Sequence, residues 1–176
     1  GQSPAALTAE LGDTLRAPTK VQFYPYLSGE RTPHNDSSVR AGFVGLHVAT
    51  DRAEMTQAVL QGVSFAMRDS LEALRLTGAK LDTILAIGGG ARSSYWVEML
   101  ATVLNLKLEL PEQGDFGAAL GAARLAICGV TGASIEDVMT KPTIDKTIVP
   151  NATMLDAYQL RYDQFHENFP GWKTIQ

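Results

Sequence analysis

A single cysteine, Cys128, stands in the 176-residue chain, so no disulfide can close within it. That usage fits a reducing compartment, and a cytoplasmic protein is expected. No apolar stretch approaches the length of a membrane span, and no signal-peptide pattern is present. Long basic runs are also missing, and the formal net charge is -4. This argues against a nucleic-acid surface, whose affinity depends on neutralising phosphates. A nucleotide is not excluded, because backbone N–H groups and a helix dipole hold one locally. The three histidines, His34, His47 and His166, are scattered without ligand spacing, so no protein metal site is expected. No Gly-x-x-x-x-Gly-Lys run occurs, which excludes a Walker-type phosphate loop. Internal repeats and low-complexity tracts are absent.

The composition is ordinary for a globular chain, with 45% apolar and 19% charged residues. The length suits one domain, 1–176, with a real core. Ser3 as N-cap and Pro4 at the first helical position predict a short helix within 3–16. Residues 21–27 are aromatic and extended but interrupted by Pro25, and 28–40, rich in turn formers and charge, form a loop. Residues 43–48 predict a strand. Asp51 and Glu54 have capping-box spacing and open a long helix. It places Met55, Val59, Val63, Met67, Leu71 and Leu74 on one face, and Gly78 stops it.

An apolar run at 81–87 reads as a buried strand, and a helix follows from Ala91 to about Asn105. Residues 106–110 alternate as a strand that Pro111 ends. A helix of very small residues spans 114–129, with Asp115 as N-cap. A short helix at 134–139 precedes an irregular stretch holding Pro142 and Pro150. The last helix, about 152–169, carries Met154, Tyr158, Tyr162, Phe165 and Phe169 on a core-facing stripe, and Pro170-Gly171 ends it. Beyond residue 40 the order β-α-β-α-β-α implies an α/β fold with parallel strands. About three strands serve four or five helices. Such a sheet is narrow, unless 21–27 adds a strand or neighbours come from elsewhere.

Gly88-Gly89-Gly90, between the strand and the helix, is the most informative feature. A strand that breaks on glycines and turns straight into a helix leaves N–H groups at the positive end of the helix dipole. Without Cβ atoms a flat ligand approaches the backbone closely. The competing account is a tight turn with Ser93 or Ser94 capping the helix. A dinucleotide fingerprint fits poorly, because Gly88-x-Gly90-x-x-Ser93 lacks the third small residue and follows a long helix.

Three segments together resemble the carboxy-terminal half of the FGGY-type carbohydrate kinases, the family of glycerol kinase and xylulokinase. The first is Tyr26-Leu27-Ser28-Gly29-Glu30-Arg31-Thr32-Pro33-His34-Asn35-Asp36, typical of the xylulokinase branch. The second runs over 41–61 and includes Gly45-Leu46 and Met55-Thr56-Gln57-Ala58-Val59-Leu60. It departs from the pattern at Gln61, where Glu is commoner. The third pairs Gly88-Gly89-Gly90-Ala91-Arg92-Ser93 with Gly114-Asp115-Phe116-Gly117-Ala118-Ala119-Leu120-Gly121-Ala122-Ala123-Arg124-Leu125-Ala126.

The resemblance implies an actin-like (ribonuclease H-like) ATPase domain, the second of two around a cleft. It implies ATP-dependent phosphorylation of a sugar, D-xylulose foremost, with ATP and Mg2+ as cofactors. Gly88, Gly89, Gly90 and Ser93 are then the adenosine contacts, and no catalytic residue lies in this chain. The sugar is held mainly by the other half. The family's catalytic aspartate and its glycine-threonine hairpin lie upstream, and no Gly-Thr-Ser-Gly stretch exists here. The chain opens on Gly1 rather than Met, in a stretch that reads like mid-protein sequence, so a designed or proteolytic piece is expected.

Several side chains have two readings. Arg92 reaches ribose or phosphate, or is an exposed surface arginine. Trp96 packs in the core or stacks on a base. Glu30, Arg31, His34 and Asp36 form a loop held by an internal ion pair, or line the cleft. The small residues around Gly121 serve close helix packing, including a contact with the other domain near the hinge. A homodimer and the exact sugar are left open. The alternative function is a non-catalytic nucleotide-sensing or assembly module on the same fold.

Overall fold

The computed structural model describes residues 1–112 and 117–175. Asp115 and the Gly114-Asp115-Phe116 stretch lie outside the described residues. Helix α1 (Pro4–Ala9) starts as expected, with the Ser3 side chain accepting from the Ala6 N–H. It is shorter than 3–16 because Gly12, at φ +84, turns the chain away.

Strands β1 (Gln22–Tyr24) and β2 (Gly42–Val44) pair antiparallel as a sheet of their own. Residues 21–27 therefore do not widen the main sheet. Between them the 28–40 loop closes through the Glu30 and Asp36 backbones.

Helix α2 (Arg52–Leu76) has Asp51 as its N-cap, accepting from the Glu54 N–H at 2.8 Å. The expected apolar face is not the buried one. Met67 and Leu74 are nearly half exposed, and of the six residues only Leu71 is buried. The buried face carries Gln57, Ala58, Gln61, Gly62, Ser64, Phe65 and Asp69 instead. The two glutamines are inside because each finds a directional partner. Gln61 accepts from the Thr19 N–H at 3.0 Å and donates to the Thr19 carbonyl at 3.2 Å, while Gln57 donates to the Ala17 carbonyl. The amide at residue 61 supplies a donor and an acceptor together, which a carboxylate cannot. Gly62 lets β1 approach so closely that a Cβ there would collide with the Phe23 carbonyl.

Strand β3 (Thr83–Leu85) leads into a 3-10 turn (Gly89–Arg92) and then α3 (Ser94–Leu104). Against expectation, the 81–87 run is only partly covered, with Leu85 and Ile87 about half exposed. Helix α3 is the element most deeply enclosed. Tyr95, Met99 and Val103 join an aromatic cluster with Tyr24, Phe65, Tyr158 and Phe165, while Val97, Leu100 and Leu104 join a second with Leu71, Leu106 and Leu108.

Strand β4 (Lys107–Pro111) runs parallel to β3, and β5 (Ile144–Ile148) runs antiparallel to β4, giving the order β3-β4-β5. Strand β5 lies in the stretch that reads as irregular, and the sheet is mixed rather than parallel. Helices α4 (Gly117–Thr131) and α5 (Ile135–Val138) contain no buried residue. A Cβ on Gly121 would meet nothing within 4 Å, so no close helix packing occurs there within the described residues.

Helix α6 (Leu155–Thr174) buries Tyr158, Tyr162, Phe165 and Phe169 of the expected stripe, while Met154 precedes the helix as its N-cap residue and is only partly buried against the same cluster. It does not end at Pro170 but runs to Thr174. Pro170 removes one hydrogen bond, yet the next turn is anchored: Trp172 stacks on Tyr24 at 5.3 Å and donates to the Arg40 carbonyl at 3.2 Å.

Two of the helical glycines, Gly62 and Gly121, differ in what they accommodate. Gly→Ala in a helix gains roughly 1 kcal/mol of propensity, while overpacking a filled site costs roughly 1–3 kcal/mol. Thermal melts of the purified chain are expected to show Gly62→Ala lowering the midpoint by several degrees. Gly121→Ala is expected to leave it unchanged or raise it.

Candidate functional site

The three glycines of the turn have three different reasons to be glycine. Gly88 sits at φ +85, a conformation that side chains resist. Gly90 presses on the Trp96 ring, where a Cβ would fall inside the indole. Gly89 has neither constraint: a Cβ would meet nothing within 4 Å. Its bare face is therefore unexplained by packing.

The turn opens on a groove of about 760 Å³. Gly89, Gly90, Arg92 and Ser93 form one side, Pro4, Thr8 and Asp13 the other, and Leu60, Tyr95 and Trp96 complete it. That size is in the range of small-ligand sites, roughly 300–1,000 Å³. Its α1 wall is tied to α2 by Glu10 and Arg52, whose Nε and Nη2 reach both carboxylate oxygens at 3.1 and 2.6 Å. Leu85 and Ile87, before the turn, line a second cavity of about 400 Å³ with Pro111, Leu120 and Arg124.

The helix start is not bare, contrary to the expectation from sequence. The Ser93 hydroxyl accepts from the Trp96 N–H at 3.2 Å, and the Ala91 and Ser93 N–H groups bond to Gly88 and Gly90 carbonyls inside the turn. Ser93 is thus the cap. Capping uses an acceptor site of the hydroxyl, and its hydrogen stays available as a donor. Of the four predicted residues, Gly89, Gly90 and Ser93 line the groove, while Gly88 precedes them in the turn and is not part of its lining. Trp96 packs against both core clusters, as the core reading expects, and also forms part of the groove.

The 28–40 loop forms a second constellation. Glu30 caps it from within, accepting from the Thr32 and His34 N–H groups at 2.5 and 2.8 Å. The ion pair that holds the loop is not internal: Asp36 reaches Lys173 of α6 at 2.6 Å. Lys173, and then Ser38, hold the Asp36 carboxyl far below the usual carboxylate range. His34 stacks on Phe169 at 3.9 Å and shares a hydrogen bond with the Tyr26 hydroxyl at 3.2 Å.

Beneath His34 lies Asp69, a residue that the sequence reading passed over. It is 3% exposed. Its Oδ1 accepts from Tyr162 at 2.8 Å and faces His166 Nδ1 at 3.2 Å, while Oδ2 has no hydrogen-bond partner and faces His34 Nε2 at 3.8 Å. Burial, with the Asp69 charge second, raises the Tyr24 hydroxyl to about 12 and Tyr26 further. Burial lowers His34, outweighing the opposing pull of Asp69 and Glu30. The signal in the sequence was a lone carboxylate inside Phe65-Ala66-Met67-Arg68-Asp69. Periodicity alone places it at the edge of the wrong face.

Comparison with known proteins gives a consistent result. The FGGY family of carbohydrate kinases, C-terminal domain, matches residues 3–130. The xylulose kinase of Escherichia coli K12 is 38% identical over 161 residues, covering 91% of this chain and 33% of that protein. The xylulose kinase of Klebsiella pneumoniae is 41% identical over 140 residues, covering 79% and 28%. The crystal structure of a xyloylose kinase from Brucella ovis superposes with a TM-score of 0.91 at 48% identity, over 100% of this chain and 36% of that one. The chain spans about a third of the length of the curated relatives it matches. The fold is that of the actin-like, ribonuclease H-like ATPases, carboxy-terminal part.

A group whose folded pKa lies below its unfolded value binds protons more readily when unfolded, so stability falls as pH falls. For His34 this loss begins as pH drops through 6.5, the ordinary histidine value, and is complete below the depressed folded value. Melting midpoints of the purified chain between pH 8 and 5 are expected to fall on acidification. The fall is expected to be smaller in His34→Gln, which keeps polarity but cannot titrate. An equal acid slope in both proteins would remove His34 from this account.

Proposed function

Because the chain belongs to the FGGY family of carbohydrate kinases, we propose that it is the nucleotide-side domain of an ATP-dependent sugar kinase. The sugar is D-xylulose, phosphorylated to D-xylulose 5-phosphate, on the strength of relatives named xylulose kinase. The protein works in the cytoplasm, without nucleic acid or membrane.

One observation carries the site: Gly89 turns a bare backbone edge into the groove with no packing reason to lack a side chain. A flat, uncharged ligand edge fits there. Because Ser93 already caps α3, the turn offers less to a phosphate than an open helix end would, and suits adenosine better. The Ser93 hydroxyl hydrogen matches the acceptor nitrogens and oxygens of a purine nucleoside. In this reading Gly88, Gly89, Gly90 and Ser93 hold adenosine, and Mg2+ rides with the triphosphate, where it neutralises charge as the phosphoryl group moves.

The remaining machinery belongs to the other segments of the polypeptide. A carboxylate there accepts the proton of the sugar hydroxyl as its oxygen attacks the γ-phosphorus and ADP leaves. Closure of the two domains positions the reactants and excludes water.

Two measurements test this. Residues 1–176 alone are expected to give no ADP from ATP and D-xylulose, and turnover by the chain alone would refute the division of labour. In the full-length gene product, Gly89→Val is expected to weaken ADP binding by more than about tenfold, about 1.4 kcal/mol. Its melting midpoint is expected to change little. Calorimetric affinity equal to that of the unaltered protein would refute the adenosine assignment.

A further inference from the structure

Behind the glycine turn lies a hydrogen bond that joins α3 to α2. The Trp96 indole N–H donates to the Ser64 hydroxyl of α2 at 3.1 Å. Ser64 is fully buried, and its own hydrogen goes to the Leu60 carbonyl at 2.7 Å. An indole N–H only donates, and a hydroxyl whose hydrogen is committed can only accept. The two groups therefore fit in one orientation. The other end of the same indole lies against Gly90, where Cε3 would stand 2.9 Å from an added Cβ. The backbone N–H of Trp96 meanwhile holds the Ser93 hydroxyl. One residue thus sets the height of Gly90 and the direction of Ser93.

We propose that Trp96, locked by Ser64, is a positioning residue of the nucleotide site: it fixes the turn that receives adenosine without being required by the sugar or by the phosphoryl-transfer step. This rests on the adenosine reading of the groove. Plain core packing would ask only for the ring. The indole N–H and its buried acceptor on a different helix are what the packing account leaves over.

The test uses the full-length gene product with Ser64→Ala and Trp96→Phe, each of which removes this bond, and the double variant. A hydrogen bond of ordinary strength corresponds to roughly a three- to tenfold effect. ADP Kd and KM for ATP are expected to rise by that factor in both single variants, while kcat and KM for the sugar stay within about twofold. The double variant is expected to be no weaker than the weaker single, because one shared bond is lost once. A purely structural role would not confine the change to the nucleotide.

If either single variant, folded by its melting curve, binds ADP like the unaltered protein, the assignment is overturned. Should Trp96→Phe fail to fold, Ser64→Ala decides alone. Gly89→Val serves as the control. Weak binding there with normal binding in the other two defeats the positioning role only. Normal binding in all three defeats the adenosine reading itself.

Discussion

Enclosure of α3 from two sides is the constraint on which the rest depends. A helix covered on opposite flanks cannot shift toward one neighbour without opening a gap against the other, and gaps in a close-packed interior are costly. Tyr95 and Met99 hold it to the aromatic cluster, Val97 and Leu100 to the aliphatic one. Its first turn is thereby fixed in space, and with it the glycine turn that precedes it. A site built from main chain needs such a mount, because it has no side chains of its own to brace it.

Division of labour among the three glycines follows. One accommodates a dihedral angle, one accommodates an indole, and one is left facing the groove. The same run of letters therefore hides three different demands, and at Gly89 packing supplies none. The 28–40 loop is likewise more internal than its charges suggest. Glu30 is spent on backbone N–H groups and Asp36 on Lys173, while His34 lies flat on Phe169. Asp36 ties this loop to α6 through Lys173, and His34 faces Asp69 of α2.

Much of the fold was legible in the sequence, for local reasons. Ser3 and Asp51 cap helices because short-range geometry alone decides it. The α6 stripe was legible because its buried residues are aromatic. The family resemblance marked the glycine turn and Ser93. The buried face of α2 was not legible, because its contacts are hydrogen bonds from Gln57 and Gln61 to a segment forty residues away. Strand β5 was missed because Ile144-Asp145-Lys146-Thr147-Ile148 has no period-two pattern and is fixed by its pairing with β4. The Trp96–Ser64 bond and the unpartnered Asp69 oxygen are tertiary facts with no signature in spacing.

The amide of Gln61, straddling both polar groups of Thr19, also has a mechanical consequence. An oily stripe tolerates sliding, since one methyl serves much like the next. A two-pronged clasp tolerates none: a slip of one residue along α2 moves the prongs by about 1.5 Å and swings them by about 100°. The clasp therefore acts as a keyway. It selects a single seating of the longest helix from among several that greasy contact alone would leave nearly equal.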